Sequence, residues 1–183
     1  NDVWRLEIDP HDGHIARLFD KHRHVEVLSK GNVLACINDM SDTWSHEVLE
    51  YRVEAGRFGG ARLAMVENGD VQATIRSTSS FSNSTAVQEI TLYRESDIID
   101  CHLRVNWQES YRMLKLGFET RIADGVATYE TAYGHQVRDT RGHEEPGQQW
   151  FDLTGLVNGL PYGLAILNDG QYGFDIRDSV MRI

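Results

Sequence analysis

Residues 86–107 read AVQEITLY-RESD-IIDCHLRVNW and carry the clearest structural signal in the chain. In the second run, apolar side chains occupy every other position from Ile99 to Trp107, with polar residues between them. Alternation with a period of two places the two sets of side chains on opposite faces of a β-strand. The polar tetrapeptide Arg94–Asp97 separates this run from the preceding one. The stretch therefore predicts a β-hairpin with one face in a hydrophobic core.

The same pattern continues in both directions from this hairpin. Other short alternating or apolar runs cover residues 3–8, 15–19, 25–28, 33–37, 51–55, 61–66, 71–77, 114–119, 126–130, 163–167 and 172–176. Lys30–Asn32 resembles a turn, and Asn68-Gly69 and Asn168–Gly170 are favourable hairpin turns that should each join the runs beside them. No window of 11 or more residues has a helical apolar stripe. We therefore expect an all-β fold, a large antiparallel sandwich of two sheets, in a single domain spanning residues 1–183.

Charge and composition narrow the possible partners and compartment. With 28 acidic and 18 basic residues, the formal net charge is −10. Such a chain repels phosphates, so we expect neither nucleic acid nor an anionic membrane surface as a partner. The only cysteines, Cys36 and Cys101, lie in alternating apolar stretches, where we expect both to be buried, and they form neither a disulfide framework nor a metal-ligand pattern. We therefore predict a reducing, cytoplasmic location. Both ends fall inside strand-like runs without a starting methionine, and we interpret the chain as part of a longer protein.

Two polar stretches interrupt the strand pattern, Asn38–Glu50 and Thr131–Pro146. Long loops on a rigid β scaffold commonly carry function. The first contains Trp44 and His46 near Asp42; the second contains Tyr133 and Arg138, with Glu130 just before it. An aromatic ring can stack on the apolar face of a sugar while polar neighbours hydrogen-bond its hydroxyls. Trp44, His46, Tyr133 and Arg138 are therefore candidate sugar-binding residues, and the alternative is that Trp44 and Tyr133 merely anchor their loops on the sandwich rim.

The residues point to no catalytic or metal site within the chain. His22 and His24 have a spacing that would put both on one face of a strand, but a zinc site needs further ligands, and their neighbours are typical of a solvated turn. A glycosidase needs two carboxylates flanking the scissile bond, and no pair stands out among the 28 acidic residues. We expect no catalytic residue and no metal ligand in this chain.

Several motifs, taken together in this order, resemble the region that follows the catalytic barrel in glycoside hydrolase family 38, the α-mannosidases. The resemblance is carried by Leu6–Asp9, Asp12–Ile15, Leu18–Lys21, Asp42–His46, Val66–Gly69, Gln88–Tyr93, Val105–Trp107 with Leu114-Lys115, Glu130–Arg138 with Thr140, Trp150–Asp152, and Gly163–Asp169 with Tyr172-Gly173. It implies a β-sandwich related in shape to the galactose mutarotases, packed against a catalytic barrel that is not in this sequence.

The resemblance also implies where the chemistry would reside. Family members are retaining enzymes whose zinc ion, aspartate nucleophile and acid/base residue belong to the barrel, and the family's His-His-Asp zinc motif is absent here because no two histidines are adjacent. The chain would be inactive alone and would act with the barrel on mannose-containing oligosaccharides. Two alternatives remain: a free-standing lectin-like sugar-binding module, and a mutarotase-like enzyme using His135 as acid and Glu130 as base.

Overall fold

The computed structural model describes residues 1–183, which form sixteen β-strands and no helix. In chain order the strands are β1 (Trp4–Ile8), β2 (Ile15–Asp20), β3 (Val25–Asn38), β4 (Glu54–Arg57), β5 (Gly59–Asn68), β6 (Gln72–Phe81), β7 (Ser84–Tyr93), β8 (Ile99–Asn106), β9 (Arg112–Thr120), β10 (Ala123–Thr131), β11 (Gly134–Arg138), β12 (Glu145–Pro146), β13 (Trp150–Val157), β14 (Leu160–Leu167), β15 (Gly173–Arg177) and β16 (Val180–Arg182). Every strand pairing is antiparallel. The predicted all-β, antiparallel fold is confirmed. No helix long and apolar enough to cross a membrane is present.

The strands form one large sheet and two small ones. The large sheet has eight strands, in the order β1-β2-β3-β9-β16-β15-β12 with β4 paired to β3. The small sheets have the orders β5-β6-β7-β8 and β11-β10-β13-β14.

Both small sheets cover the same face of the large one. Leu116 and Phe118 share a face of β9 because they are two residues apart. Leu116 packs against a cluster that includes Ala86 of β7, and Phe118 belongs to the main core cluster with Phe151 of β13. The predicted two-layer sandwich is therefore confirmed, with its second layer divided into two sheets. Alternation reports which face of a strand is buried and cannot show that a layer is divided.

The hairpin predicted at Asn168–Gly170 is wrong. β14 pairs with β13 and β15 with β16, so this turn carries the chain from a small sheet to the large one. The side-chain oxygen of Asn168 accepts the backbone N–H groups of Gly170 and Gln171. Such local bonds build a tight turn whichever strands it connects.

The turn predicted at Lys30–Asn32 is also wrong, because these residues lie inside β3, a continuous strand of 14 residues. The register against β9 shifts here, and Asn32 has a φ of 55°. The turn-forming residues therefore form a bulge within one strand. Burial of the cysteines was predicted correctly for Cys36 only, since Cys101 is exposed on the edge strand β8.

Candidate functional site

The two irregular stretches lie at one end of the sandwich. Residues 39–53, called the first loop, follow β3 at the edge where Asn38 is paired with Arg112 of β9. Residues 139–149, called the second loop, contain β12, whose Glu145 is paired with Phe174 at the start of β15. Antiparallel pairing along β3, β9, β16 and β15 puts the end of β3 and the start of β15 at the same edge of the large sheet.

The two loops contact each other directly. The backbone N–H of Glu144 donates to the carbonyl oxygen of Leu49 at 2.8 Å. The guanidinium of Arg52 donates to the carbonyl oxygen of Gly142 at 2.6 Å. The first loop also covers the outer face of the large sheet, where Val48 and Tyr51 pack against Ala35 and Ile37.

Asp42 organises the turn that carries Trp44 and His46. Its carboxylate accepts the backbone N–H groups of Trp44 at 2.9 Å and His46 at 3.3 Å, and its other oxygen lies 2.7 Å from His46 Nδ1. The bond to the His46 ring, followed by the backbone bond of the same residue, lowers the pKa of the Asp42 carboxyl. The Trp44 side chain remains 79% exposed. The structure thus brings these three residues together, with an indole ring and a carboxylate–imidazole pair facing solvent.

Tyr133 lies at the tip of a hairpin rather than in an irregular loop. β10 and β11 pair up to Thr131 and Gly134, so only Ala132 and Tyr133 form the turn. Part of the predicted 131–146 loop is therefore strand, because polar side chains on an exposed edge strand hide its alternation. Tyr133 is fully exposed and has a φ of 68°. A bulky residue in the left-handed region is unfavourable, and such strain is often found at functional positions.

Arg138 is far from Tyr133 and makes structural contacts. It is at the other end of β11, roughly 13 Å from Gly134 at the usual rise of a strand. Its guanidinium donates to the Pro146 carbonyl at 2.5 Å, lies 3.0 Å from the Glu145 carboxylate, and stacks over the Tyr129 ring. The structure therefore separates it from Tyr133 and from Glu130, with which the sequence grouped it.

Two further aromatic residues at this end were not among the candidate sugar-binding residues. Tyr111 is exposed with a φ of 55°, and its carbonyl accepts the N–H of Asp39. Tyr172 is exposed, and its carbonyl accepts the N–H of Gly147. Tyr111 directly precedes β9 and Tyr172 directly precedes β15, so only the strand pairing could have placed them at this end of the sandwich. Exposed aromatic rings from four segments thus occur at one end of the sandwich.

Charged residues underlie the junction of the loops. Lys115 is buried on the outer face of β9, and its ammonium lies 2.7 Å from Glu144 and 3.4 Å from Asp175. Burial raises the pKa of the Glu144 carboxyl, although Lys115 opposes this shift. Lys115 lies in β9, Glu144 in the second loop and Asp175 in β15, so no local sequence pattern connected these residues.

The geometry supports neither a metal site nor the mutarotase-like enzyme that would use His135 and Glu130. No group of three or more His, Cys, Asp or Glu side chains could hold a metal ion, so the residues present do not fit zinc. Glu130 and His135 are cross-strand neighbours, but the Glu130 carboxylate accepts the N–H of Gln149, and His135 is exposed on an edge strand.

Two recesses, of about 110 and 300 Å³, are lined by other residues. Neither includes Glu130, His135 or any of the four candidate sugar-binding residues.

Fold and site together define a two-layer antiparallel β-sandwich domain with aromatic and polar loops gathered at one end. The sequence profile of the Glycosyl hydrolases family 38 C-terminal domain matches residues 1–183. The chain belongs to this family, and the resemblance noted in its motifs is confirmed.

Related proteins are named as α-mannosidases. Alpha-mannosidase 2C1 from Homo sapiens is 28% identical over 199 residues, which cover 100% of this chain and 19% of the relative. Alpha-mannosidase G from Dictyostelium discoideum is 27% identical, with 89% of this chain and 16% of the relative covered. The chain thus spans about a fifth of the length of these relatives. An alpha-mannosidase from Enterococcus faecalis V583 matches the whole chain with a TM-score of 0.75 over 24% of its own length, and at 15% identity this shows the fold alone.

Proposed function

We propose that this chain is the C-terminal domain of a retaining, zinc-dependent α-mannosidase that hydrolyses terminal α-mannosides. The observation that carries the proposal is the family match over residues 1–183, in a chain whose relatives are named as α-mannosidases. The chain's own residues offer no zinc site, so zinc and both catalytic carboxylates would belong to a catalytic barrel elsewhere in the enzyme. This chain alone would have no hydrolytic activity.

The role of this domain would be to pack on the barrel and complete the carbohydrate cleft. A cleft between two domains needs polar and aromatic groups from both sides. Trp44 and Tyr133 expose their rings at the end where both loops meet. They would stack on sugar rings of a mannose-containing oligosaccharide, while His46 would hydrogen-bond a hydroxyl. The contacts of Arg138 within its own hairpin favour a supporting role for that residue.

A reducing, cytoplasmic location accompanies this proposal. Cys36 and Cys101 are both free, and the fold contains no disulfide bond. Disulfides are rare in cytosolic proteins. Secretion of the enzyme into an oxidising compartment would contradict this part of the proposal.

The alternative function is a lectin-like module that binds sugar without a catalytic partner. The full exposure of Tyr133, on a strained turn with no protein neighbour to explain it, is the observation that favours this function. A solvent-exposed ring could bind a sugar by itself.

Two measurements on chain 1–183 separate these functions. Hydrolysis of an aryl α-mannoside, with and without added zinc, should be undetectable, and should appear only when the full-length enzyme is assayed. Calorimetry with mannosides should show no binding to the isolated chain. Turnover that copurifies with the chain and disappears on chelation would contradict the proposal, and binding in calorimetry would favour the lectin-like module.

A further inference from the structure

Asp175 lies at the centre of a buried ionic cluster on the outer face of the large sheet. Its side chain is completely buried, and three cations surround it. Arg182 Nε lies 2.9 Å from one carboxylate oxygen and 3.0 Å from the other. Arg52 approaches the first oxygen at 3.3 Å, and Lys115 approaches the second at 3.4 Å. We call Asp175, Arg182, Arg52 and Lys115 the Asp175 cluster.

Each cation of the cluster also contacts one of the two loops. Arg182 donates to the carbonyl of Tyr51 in the first loop at 2.8 Å. Arg52, itself in the first loop, donates to the carbonyl of Gly142 in the second. Lys115 donates to Glu144 of the second loop at 2.7 Å. A single carboxylate therefore orients three side chains that together hold both loops.

Asp175 cannot be exchanged for a neutral residue without consequence for these contacts. Buried charges interact strongly, and removing Asp175 leaves Arg182 without a carboxylate partner and deprives Arg52 and Lys115 of one of their two. An amide at position 175 would keep the shape of the carboxylate but lose its charge. Its NH2 group would also point a hydrogen-bond donor toward side chains that are themselves donors. We expect Arg182 and Arg52 to move toward water and to release the loop carbonyls that they hold, and Lys115 to lose part of the restraint that keeps it beside the Glu144 carboxylate.

We propose that Asp175 is a positioning residue that couples the first and second loops, and so fixes Trp44 relative to the second loop and the neighbouring Tyr133 hairpin. This inference rests on the proposed function only for its consequence in catalysis, because the coupling itself is a property of this chain.

Amide hydrogen exchange on chain 1–183 tests the coupling. In Asp175→Asn, exchange should accelerate at least tenfold in both residues 39–53 and residues 139–149, while β6 and β7 exchange as in the wild type. Asp70→Asn, at a highly exposed aspartate on the β5–β6 turn, is the matched control and should change neither loop. Acceleration in one loop only, or throughout all three sheets, would overturn the coupling.

A second variant covers the case in which Asp175→Asn does not fold. Arg52→Gln removes the side chain of the first loop that contacts both Asp175 and the second loop, and Arg52 is only half-buried. It should also accelerate exchange in both loops, and protection of the second loop equal to wild type would overturn the coupling.

Kinetics of the full-length enzyme separate this inference from the proposed function. Asp175→Asn should raise KM for an aryl α-mannoside by about tenfold and change kcat by less than threefold, since the catalytic groups are elsewhere. Faster exchange in both loops with unchanged KM would uphold the coupling and contradict a shared cleft. A raised KM with normal exchange in both loops would overturn the coupling.

Discussion

The backbone N–H of Glu144 donates a hydrogen bond to the carbonyl oxygen of Leu49, at 2.8 Å. The two residues come from separate loops that flank different strands, and this bond joins them at one end of the sandwich. Exposed aromatic rings stand around the same end.

Replacing Tyr133 should reveal strain in the hairpin turn. Its left-handed backbone costs an L-residue about 1–2 kcal/mol, and asparagine tolerates this conformation better than tyrosine. Tyr133→Asn should therefore raise the free energy of unfolding in urea by up to about 1 kcal/mol. Tyr133→Ala keeps the strain and should leave stability nearly unchanged. A less stable Asn variant would show that the ring contributes packing.

Arg138 should behave as a structural contact. Arg138→Lys cannot reproduce the planar guanidinium that meets Glu145, Pro146 and the Tyr129 ring. We expect a loss of about 1–2 kcal/mol in unfolding free energy, while KM for an aryl α-mannoside in the full-length enzyme stays within twofold. A large rise in KM at unchanged stability would instead identify Arg138 as a donor to substrate.

The buried carboxylate of Asp20 should make the fold sensitive to acid. Burial raises its pKa, but the backbone N–H of Arg23, the Tyr162 hydroxyl at 2.9 Å and the N–H of His22 together hold it below the ordinary value. A lowered folded-state pKa contributes stability above the unfolded pKa of about 4, and this contribution is lost as pH falls through the folded value. Stability should therefore decline as pH falls below about 4.

Tyr162→Phe isolates this effect. It removes one donor from the carboxylate and should cost about 1–3 kcal/mol at pH 7. The difference from wild type should be smaller near about pH 2, because the Tyr162 hydroxyl stabilises the ionised form of Asp20, which is lost as pH falls. Tyr129→Phe is the matched control, because the buried Tyr129 hydroxyl has no hydrogen-bond partner. Equal losses from Tyr162→Phe at both pH values would contradict the role assigned to Asp20.

Local sequence patterns predicted which residues form strands better than they predicted which strands pair with each other. Alternation from Ile99 to Trp107 predicted β8 to within one residue at its carboxyl end. The Asn168 turn was recognised, but its side-chain bonds are the same in a hairpin and in a crossing between sheets. Strand pairing depends on long-range burial, which a short window of sequence does not contain.

The candidate site shows the same contrast between contacts that are local in the sequence and contacts that are not. Asp42, Trp44 and His46 are close in sequence, and the structure brings them together as expected. Arg138 was grouped with Tyr133 as a candidate sugar-binding residue, but its guanidinium contacts Glu145 and Pro146 instead. Asp175 was missed entirely, because its three cations come from distant parts of the chain and meet only when the sheet forms.

Steady-state kinetics of the full-length enzyme test the central claim most directly. Trp44 is mostly exposed, so Trp44→Ala should change the unfolding free energy by no more than about 0.5 kcal/mol. The same should hold for Tyr133→Ala. If both rings stack on substrate, kcat/KM for a mannoside should fall up to about tenfold in each variant, since such contacts are worth about 0.5–1.5 kcal/mol. Met65→Ala, at an exposed apolar residue on β5, is the control and should keep wild-type kinetics. Wild-type kcat/KM in both the Trp44 and the Tyr133 variant would contradict a carbohydrate cleft shared between this sandwich and the catalytic domain.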